Sequence, residues 1–441
     1  MTNLILPPII HPINLDINLH GSKSIANRVL LLASVAKGTS ILSNIPEVSL
    51  DVTLMLQALK TLGVQITQLS TNKTGASYKI IGCNGVFPVK KCDIFCGNSG
   101  TTIRFLVGAL SFMNGEYTLY GVPRMHERPI KDLIDTLTQM GADIGYLEKS
   151  DYPPILVKKY QHKTSHAAKL CSINGEMSSQ YISSVLMALP VLAYHYPQNI
   201  PIIKITTPLI SVPYINITIS LMKLFGVEIA IHDDLITLSN IRSYYKSVDY
   251  MVEVDASSAS YFFAIGALSG SILVNNLHKT SYQGDVKFVE ILKQMGCGVE
   301  YLPNGIKVHK ADKLLAIDVD MKDMPDVAMT LAVLALFATG TTKISGIQSW
   351  QFKETNRLEA MARELAKFDA VVHVTDSSIT ITPSVKIKNH VSVDTYDDHR
   401  IAMSFAIMST AGVPLVINNP ECVNKTFATY FDFYKKLSGV I

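Results

Sequence analysis

Cations and hydroxyl groups gather at the points where the sequence predicts helices to begin. Lys23, Ser24 and Arg28 lie in SKSIANRVLLLA, Thr101 and Arg104 in NSGTTIRFLVGAL, and Ser178, Ser179 and Gln180 in SSQYISSVLMAL. Asp326 lies in MPDVAMTLAVLAL, and Asp398, His399 and Arg400 in DDHRIAMSFAIM. The N–H groups and the macrodipole of a helix start favour anions. Taken one helix at a time, Ser, Thr and Asp serve equally well as caps. Arg28 and Arg104 fit capping poorly, because each interrupts an apolar helix face within its first two turns. A buried, unpaired Arg is costly, but one that grips phosphate or carboxylate with two prongs is not unpaired. Further cations cluster locally: Arg124 and Arg128 in PRMHERP, Lys353 and Arg357 at the predicted helix start in FKETNRLEAM, and Lys425 in NKTF. Together they point to substrates carrying several negative charges.

Two carboxylates stand out for acid/base work. Asp326 follows Pro325 and precedes a wholly apolar helix, so it is either an anchored acid/base group or a cap. Glu354 adjoins Lys353, a pairing that tunes either group or forms a surface ion pair. His399 reads as a proton carrier or as a packed histidine. No G-x-S-x-G, H-E-x-x-H, P-loop or G-x-G-x-x-G element occurs.

The elements that must position these residues recur. A helix ending in Gly, then a strand opened by a β-branched residue or Ala, appears at Gly63, Gly141, Gly226 and Gly296. Asp369 stands at the Gly place in a fifth copy, and Gly439 ends a sixth. Gly after a helix is the left-handed C-cap signal. A short strand ending in a turn residue precedes each of these positions: ILSN44, YTLYG121, IKITT207, ILVNN276, TKISG346 and LVINN419. With the helix starts, three marks keep step at intervals of about 75 residues, which indicates a repeated unit. The unit reads helix–strand–helix–strand with extra strand material, an α/β architecture. The sixth unit stops at Ile441 without a final strand, and residues 1–21 are expected to pair back into the C-terminal half. Three units per half predict an N-terminal domain, 22–252, and a C-terminal domain of 1–21 and 253–441. Two crossings between the halves imply a cleft that opens and closes.

Composition narrows the class. Of 441 residues, 48% are apolar and 17% charged, which excludes a disordered chain. Lys plus Arg is 39 and Asp plus Glu 36, too balanced for a nucleic-acid footprint. The six cysteines show no zinc spacing and are expected as free thiols in a reducing cytosol. The N-terminus lacks a basic signal region, and no apolar run reaches the ~18 residues of a membrane span. The expectation is a soluble cytoplasmic protein without membrane or nucleic-acid partners.

The motifs LHGSKSIANRVLLLA, GNSGTTIRFL, GVPRMHERPI, SSQYISSVLMALP, DASSASYF, PDVAMTLAVLALFATGTT, KETNRLEAMA, DDHRIAM and NKTF, in this order, resemble the 5-enolpyruvylshikimate-3-phosphate synthase family. The resemblance runs from about residue 15 to the C-terminus. It implies two similar globular domains, each of three βαβαββ-type units (the enolpyruvyl transferase fold, an inside-out α/β barrel). It also implies transfer of the enolpyruvyl group of phosphoenolpyruvate to the 5-hydroxyl of shikimate 3-phosphate, in chorismate and aromatic amino acid biosynthesis. No metal or organic cofactor is implied, and a monomer is expected. By similarity, Lys23, Ser24, Arg28, Ser178, Ser179, Ser211, Tyr214 and Ser349 hold shikimate 3-phosphate, with Asp326 and Lys353 on its hydroxyls and Gln180 under its ring. Arg124, Arg357, Arg400 and Lys425 clamp phosphoenolpyruvate, with Lys23, Gln180 and the Gly100–Thr101 turn completing that site. Asp326, Glu354 and Lys23 are the implied catalytic groups. The acid that protonates a methylene carbon must keep its proton near neutral pH, so Glu354 is expected to be raised by burial or balanced by its partners.

Some positions depart from the family pattern. Ser349 stands where many members have Asn, Asn356 where Asp is usual, and Phe105 where many bacterial members have Pro. Only Asp51 remains of a common Asp-Asp pair. Ser349 implies a looser phosphate contact, and Phe105 an altered response to phosphoenolpyruvate mimics such as glyphosate. The nearest rival reading, a UDP-N-acetylglucosamine enolpyruvyl transferase, calls for GAKN at the first helix and a Cys in the PRMHERP loop, and neither is present. A non-catalytic anion-binding relative would have lost Lys23, Asp326 or Glu354. An RNA-end-modifying relative would carry a stronger basic excess.

Overall fold

The computed structural model describes residues 2–72, 74–161 and 170–438. It divides into two compact units, Gly21–Val252 on one side and Met1–His20 with Glu253–Ile441 on the other. The first unit carries helices α1 (Lys23–Val35), α2 (Leu50–Thr61), α3 (Gly100–Leu110), α4 (Lys131–Gln139), α5 (Ser179–His195) and α6 (Val212–Leu224). The second carries α7 (Ala256–Ser269), α8 (Phe288–Gln294), α9 (Ala328–Leu334), α10 (Arg357–Ala366), α11 (His399–Thr410) and α12 (Tyr430–Ser438).

Odd- and even-numbered helices differ in kind. Every residue of α3, α7, α9 and α11 is buried, as are most of α1 and α5. A helix apolar all round has no face for water and must be enclosed. The strands, by contrast, alternate buried and open positions, as in Lys91–Phe95 and Val391–Asp394. In each unit the odd-numbered helices therefore form the interior and the sheets the wall. The helix-ending glycines do what their type predicts: Gly63, Gly141, Gly226 and Gly296 have φ between 87° and 104°, and Asp369 takes the same left-handed region at 64°. Gly439 lies outside the described residues.

Five sheets have four strands each and a sixth has three, among the described residues. A typical sheet pairs Lys91–Phe95 parallel with Glu116–Tyr120, which pairs antiparallel with Ile155–Val157. Each unit completes its sheets with strands distant in sequence. Ile13–Ile17 lies parallel to Gly270–Asn275, and Asn3–Leu6 lies antiparallel to Leu415–Asn418, so the N-terminal segment completes sheets of the C-terminal half. Tyr250–Met251 in turn lies parallel to Thr39–Ile45, beside α1. The two crossings are tied on the C-terminal side, where Asp255 N–H donates to the His20 carbonyl at 3.0 Å.

Two boundaries differ from expectation. The helix predicted from Met324 begins only at Ala328, because the Asp326 carboxylate is held by cations and does not cap. Lys353 and Glu354 precede α10 rather than open it. Its cap is Asn356, whose side chain accepts from Glu359 N–H at 3.5 Å and donates to the Glu359 carboxylate at 2.9 Å. Asn at this place thus serves as a cap without setting two carboxylates against each other.

Candidate active site

In the N-terminal unit the organising residue is Arg28, which is almost wholly buried. Its Nε donates to Thr218 Oγ at 2.7 Å and Nη1 to the Ser24 carbonyl at 2.7 Å. Its Nη2 donates to Ser183 Oγ at 3.2 Å and the Tyr214 carbonyl at 3.3 Å. These contacts tie α1, α5 and α6 together. Among the described residues they engage four of five N–H groups, so the two-pronged grip expected of Arg28 is not available: one N–H is left. Burial draws the Arg28 guanidinium down to about 10. Ser211 stands before α6 with φ 53°, a left-handed conformation uncommon for a side-chain-bearing residue and frequent at functional sites.

Lys23 pairs with Asp51 at 3.0 Å, across α1 and α2. The acidic residue retained from the family's pair is thus the one that holds Lys23. Thr101 accepts from Asn27 Nδ2 at 2.6 Å. Gln180 follows Ser178, whose hydroxyl caps α5, and its Oε1 accepts from Arg104 Nη1 at 2.6 Å. Arg104 also stacks over the Tyr181 ring, 5.2 Å from its centroid. Three polar side-chain ends crowd around Gly100. A Cβ there would lie 2.9 Å from Arg128 Nη2, 3.0 Å from Arg104 Nη1 and 3.2 Å from Gln180 Oε1.

The two arginines of PRMHERP part company. Arg128 is buried, and its Nη1 donates to both the carbonyl and Oδ1 of Asn98 at 3.0 Å. Arg124 is half-exposed and pairs with Glu127 at 2.8 Å. The structure therefore brings Arg128, not Arg124, to Gly100, Arg104 and Gln180. In sequence the two are indistinguishable. What separates them is the short 3-10 turn Pro123–Glu127, which turns Arg124 outward.

In the C-terminal unit the groups form one network of alternating charge. Asp326 meets Arg400 at 2.8 Å, Arg357 at 3.1 Å and Lys353 at 3.6 Å. Glu354 meets Lys425 at 2.8 Å and Arg357 at 2.9 Å. Asp398, fully buried, meets Arg357 Nε at 2.8 Å while its Oδ1 caps α11 by accepting from Arg400 N–H at 2.9 Å. Burial raises Asp326, but Arg400, Lys353 and Arg357 together outweigh it and hold the carboxyl well below the usual range. Burial lowers Arg357, yet Asp398, Glu354 and Asp326 more than restore it. For Lys353, burial wins and draws the ammonium down. Glu354 is met by two cations rather than by an apolar wall, and it is no surface pair.

Several supporting residues escaped the sequence. Trp350, fully buried, donates from Nε1 to the Pro325 carbonyl at 2.8 Å and so anchors the turn bearing Asp326. Tyr261 of α7 accepts from Arg400 Nη1 at 3.2 Å. Asp285 is buried against the Ser257 hydroxyl, and burial together with the Asp326 charge pushes its carboxyl up to about 6. None carries a local signal, since each matters only through a partner distant in sequence. Ser349, in the turn before Trp350, has a buried hydroxyl with no partner among the described residues. His399 is buried beside Asp398. No group of residues suited to a metal ion occurs among the described residues, and no helix among them is long and apolar enough to cross a membrane.

Comparison with known proteins gives the family and the fold. The family model described as EPSP synthase (3-phosphoshikimate 1-carboxyvinyltransferase) matches residues 8–433. A 3-phosphoshikimate 1-carboxyvinyltransferase of Aliivibrio fischeri is 44% identical over 442 aligned residues, covering 99% of this chain and 100% of that one. That of Paraburkholderia phytofirmans is 43% identical over 428 residues, 96% of each chain. The fold matches an EPSP synthase structure from Acinetobacter baumannii with a TM-score of 0.78 at 23% identity, over 99% and 98% of the two chains. It also matches the enolpyruvyl transferase NikO from Streptomyces tendae, with a TM-score of 0.74 at 13% identity, over 99% and 97%. The chain belongs to the EPSP synthase (3-phosphoshikimate 1-carboxyvinyltransferase) family.

Proposed function

We propose that the protein joins shikimate 3-phosphate to phosphoenolpyruvate with a division of labour between its two units. One observation carries this reading. Arg28 and Arg104 of the N-terminal unit are buried with no carboxylate partner among the described residues, whereas Arg357, Arg400 and Lys425 of the C-terminal unit are already neutralised. Buried cations without counter-charge call for anions. Ser24, Arg28, Ser178, Ser179, Ser211 and Tyr214 hold shikimate 3-phosphate, with Gln180 under its ring and Lys353 and Ser349 on its far side. Lys23, the Gly100–Thr101 turn and Arg128 take phosphoenolpyruvate in the N-terminal unit, Arg128 replacing Arg124 in this role. Arg357, Arg400 and Lys425 take it in the C-terminal unit once the substrate anions replace Asp326 and Glu354 as their partners.

That exchange gives the carboxylates their chemistry. Gripped by three cations, Asp326 is a poor base; released from Arg400 and Lys353, it can accept the proton of the 5-hydroxyl as that oxygen bonds to the enol carbon. Glu354, freed from Arg357 and Lys425, takes up a proton from solvent and delivers it to the methylene carbon, and the tetrahedral adduct forms. Loss of phosphate, which takes the proton held by Asp326, and return of a methyl proton to Glu354 restore the double bond and the starting protonation states. Closure of the units would exclude water from the enolpyruvyl group. We also propose that the enzyme acts as a monomer in the cytoplasm.

The test is phosphate release from phosphoenolpyruvate with shikimate 3-phosphate, run beside UDP-N-acetylglucosamine as acceptor. Release with the first alone is expected, and release with the second alone would overturn the assignment. Asp326→Asn should lower turnover by about 10²–10⁴-fold.

A further inference from the structure

Arg28 raises a question of charge. Every hydrogen-bond partner it has is a neutral hydroxyl or carbonyl, and no acidic group pairs with it among the described residues. A guanidinium so placed needs some compensation for lost hydration. The aromatic ring of Phe105 lies across it: the guanidinium carbon stands 4.9 Å from the ring centroid, within the range of a cation–π contact. Phe105 sits on α3 and is fully buried, so the contact is shielded from water. The ring is also the one partner supplied by α3, because the other contacts come from α1, α5 and α6.

We infer that Phe105 is a positioning residue for shikimate 3-phosphate: its ring face stabilises the buried Arg28 charge and fixes the guanidinium plane, so that the single N–H left to Arg28 is held ready for the substrate. This rests on the assignment of Arg28 to that substrate. Two facts make the ring matter here. With four N–H groups engaged, a small tilt of the plane cannot be made good by a second prong. And burial already weakens the hold of Arg28 on its proton, so removing the ring would leave the cation less well compensated.

The experiment replaces Phe105 in the full-length protein by phenylalanines bearing one, two and three ring fluorines. Fluorination drains the ring face of negative charge while leaving its shape nearly unchanged. Two quantities are read: shikimate 3-phosphate affinity by calorimetry, and the melting temperature of the free protein. A stepwise fall in both is expected, reaching about tenfold in affinity at three fluorines. Phe105→Met, which keeps bulk without a ring, should match the trifluoro form. The Michaelis constant for phosphoenolpyruvate should move less than that for shikimate 3-phosphate. Affinity that stays level across the series, whether or not the melting temperature falls, would overturn the positioning role. If the wild type itself fails to bind shikimate 3-phosphate, the assignment of Arg28 fails, and the melting series still decides whether the ring supports the charge.

Discussion

At the residue scale, the same residue type plays different parts according to its partners. Arg124 and Arg128 share one short motif, but only Arg128 is buried beside Gly100. Arg128→Ala should raise the Michaelis constant for phosphoenolpyruvate by about 10–100-fold, the worth of hydrogen bonds to a charged group. Arg124→Ala should leave it near the wild-type value, and steady-state kinetics on both variants will tell them apart. Asp285 offers a prediction in pH. Its folded value of about 6 lies above an unfolded value of about 4. Between these, the folded protein keeps a proton that the unfolded chain has released, so stability falls as pH rises through that window. Above it, the buried charge costs about 3 kcal/mol. Asp285→Asn should flatten this limb and raise the melting temperature at pH 7–8, as thermal denaturation across pH 4–8 will show.

At the element scale, the substrate-facing groups depend on how closely the interior helices approach. A Cβ at Gly108 of α3 would fall 2.3 Å from Ser184 Oγ and 2.8 Å from the Ser184 carbonyl on α5. The absent side chain lets Ser184 Oγ donate to the Arg104 carbonyl at 2.6 Å and keeps Arg104 on Gln180. Gly108→Ala should therefore destabilise by about 1–3 kcal/mol, the range of an overpacked core, despite the better helix propensity of Ala. Urea denaturation measures the first effect. A weakened affinity for shikimate 3-phosphate would show that the displacement reaches the Gln180 end of α5.

At the scale of the whole molecule, the chain passes between the units twice, at residues 20–21 and 252–253. Charge is unequally shared: among the described residues, Arg28 and Arg104 of one unit have no carboxylate partner, while the other unit holds a neutralised network. On the proposed reading, an anion held by the first draws cations of the second away from Asp326 and Glu354 as the units close around it. Shikimate 3-phosphate should therefore reduce the radius of gyration in small-angle scattering, and an unchanged value would count against closure on this substrate.

Much of the protein was legible in one dimension because the relevant physics is local. Helix caps, glycine C-caps and apolar runs act over a few residues, so the sixfold unit and the return of the N-terminal strands to the C-terminal half could be read from spacing. The helix-start clusters containing Lys23, Ser178 and Arg400 could be read in the same way. What Lys23 touches, which arginine of PRMHERP turns inward, how many N–H groups Arg28 has to spare and what restrains Asp326 were decided only by the tertiary structure. Most of these depend on partners tens to hundreds of residues away. Charge, hydrogen-bond count and burial are properties of those assembled neighbours, and no run of residues carries them alone.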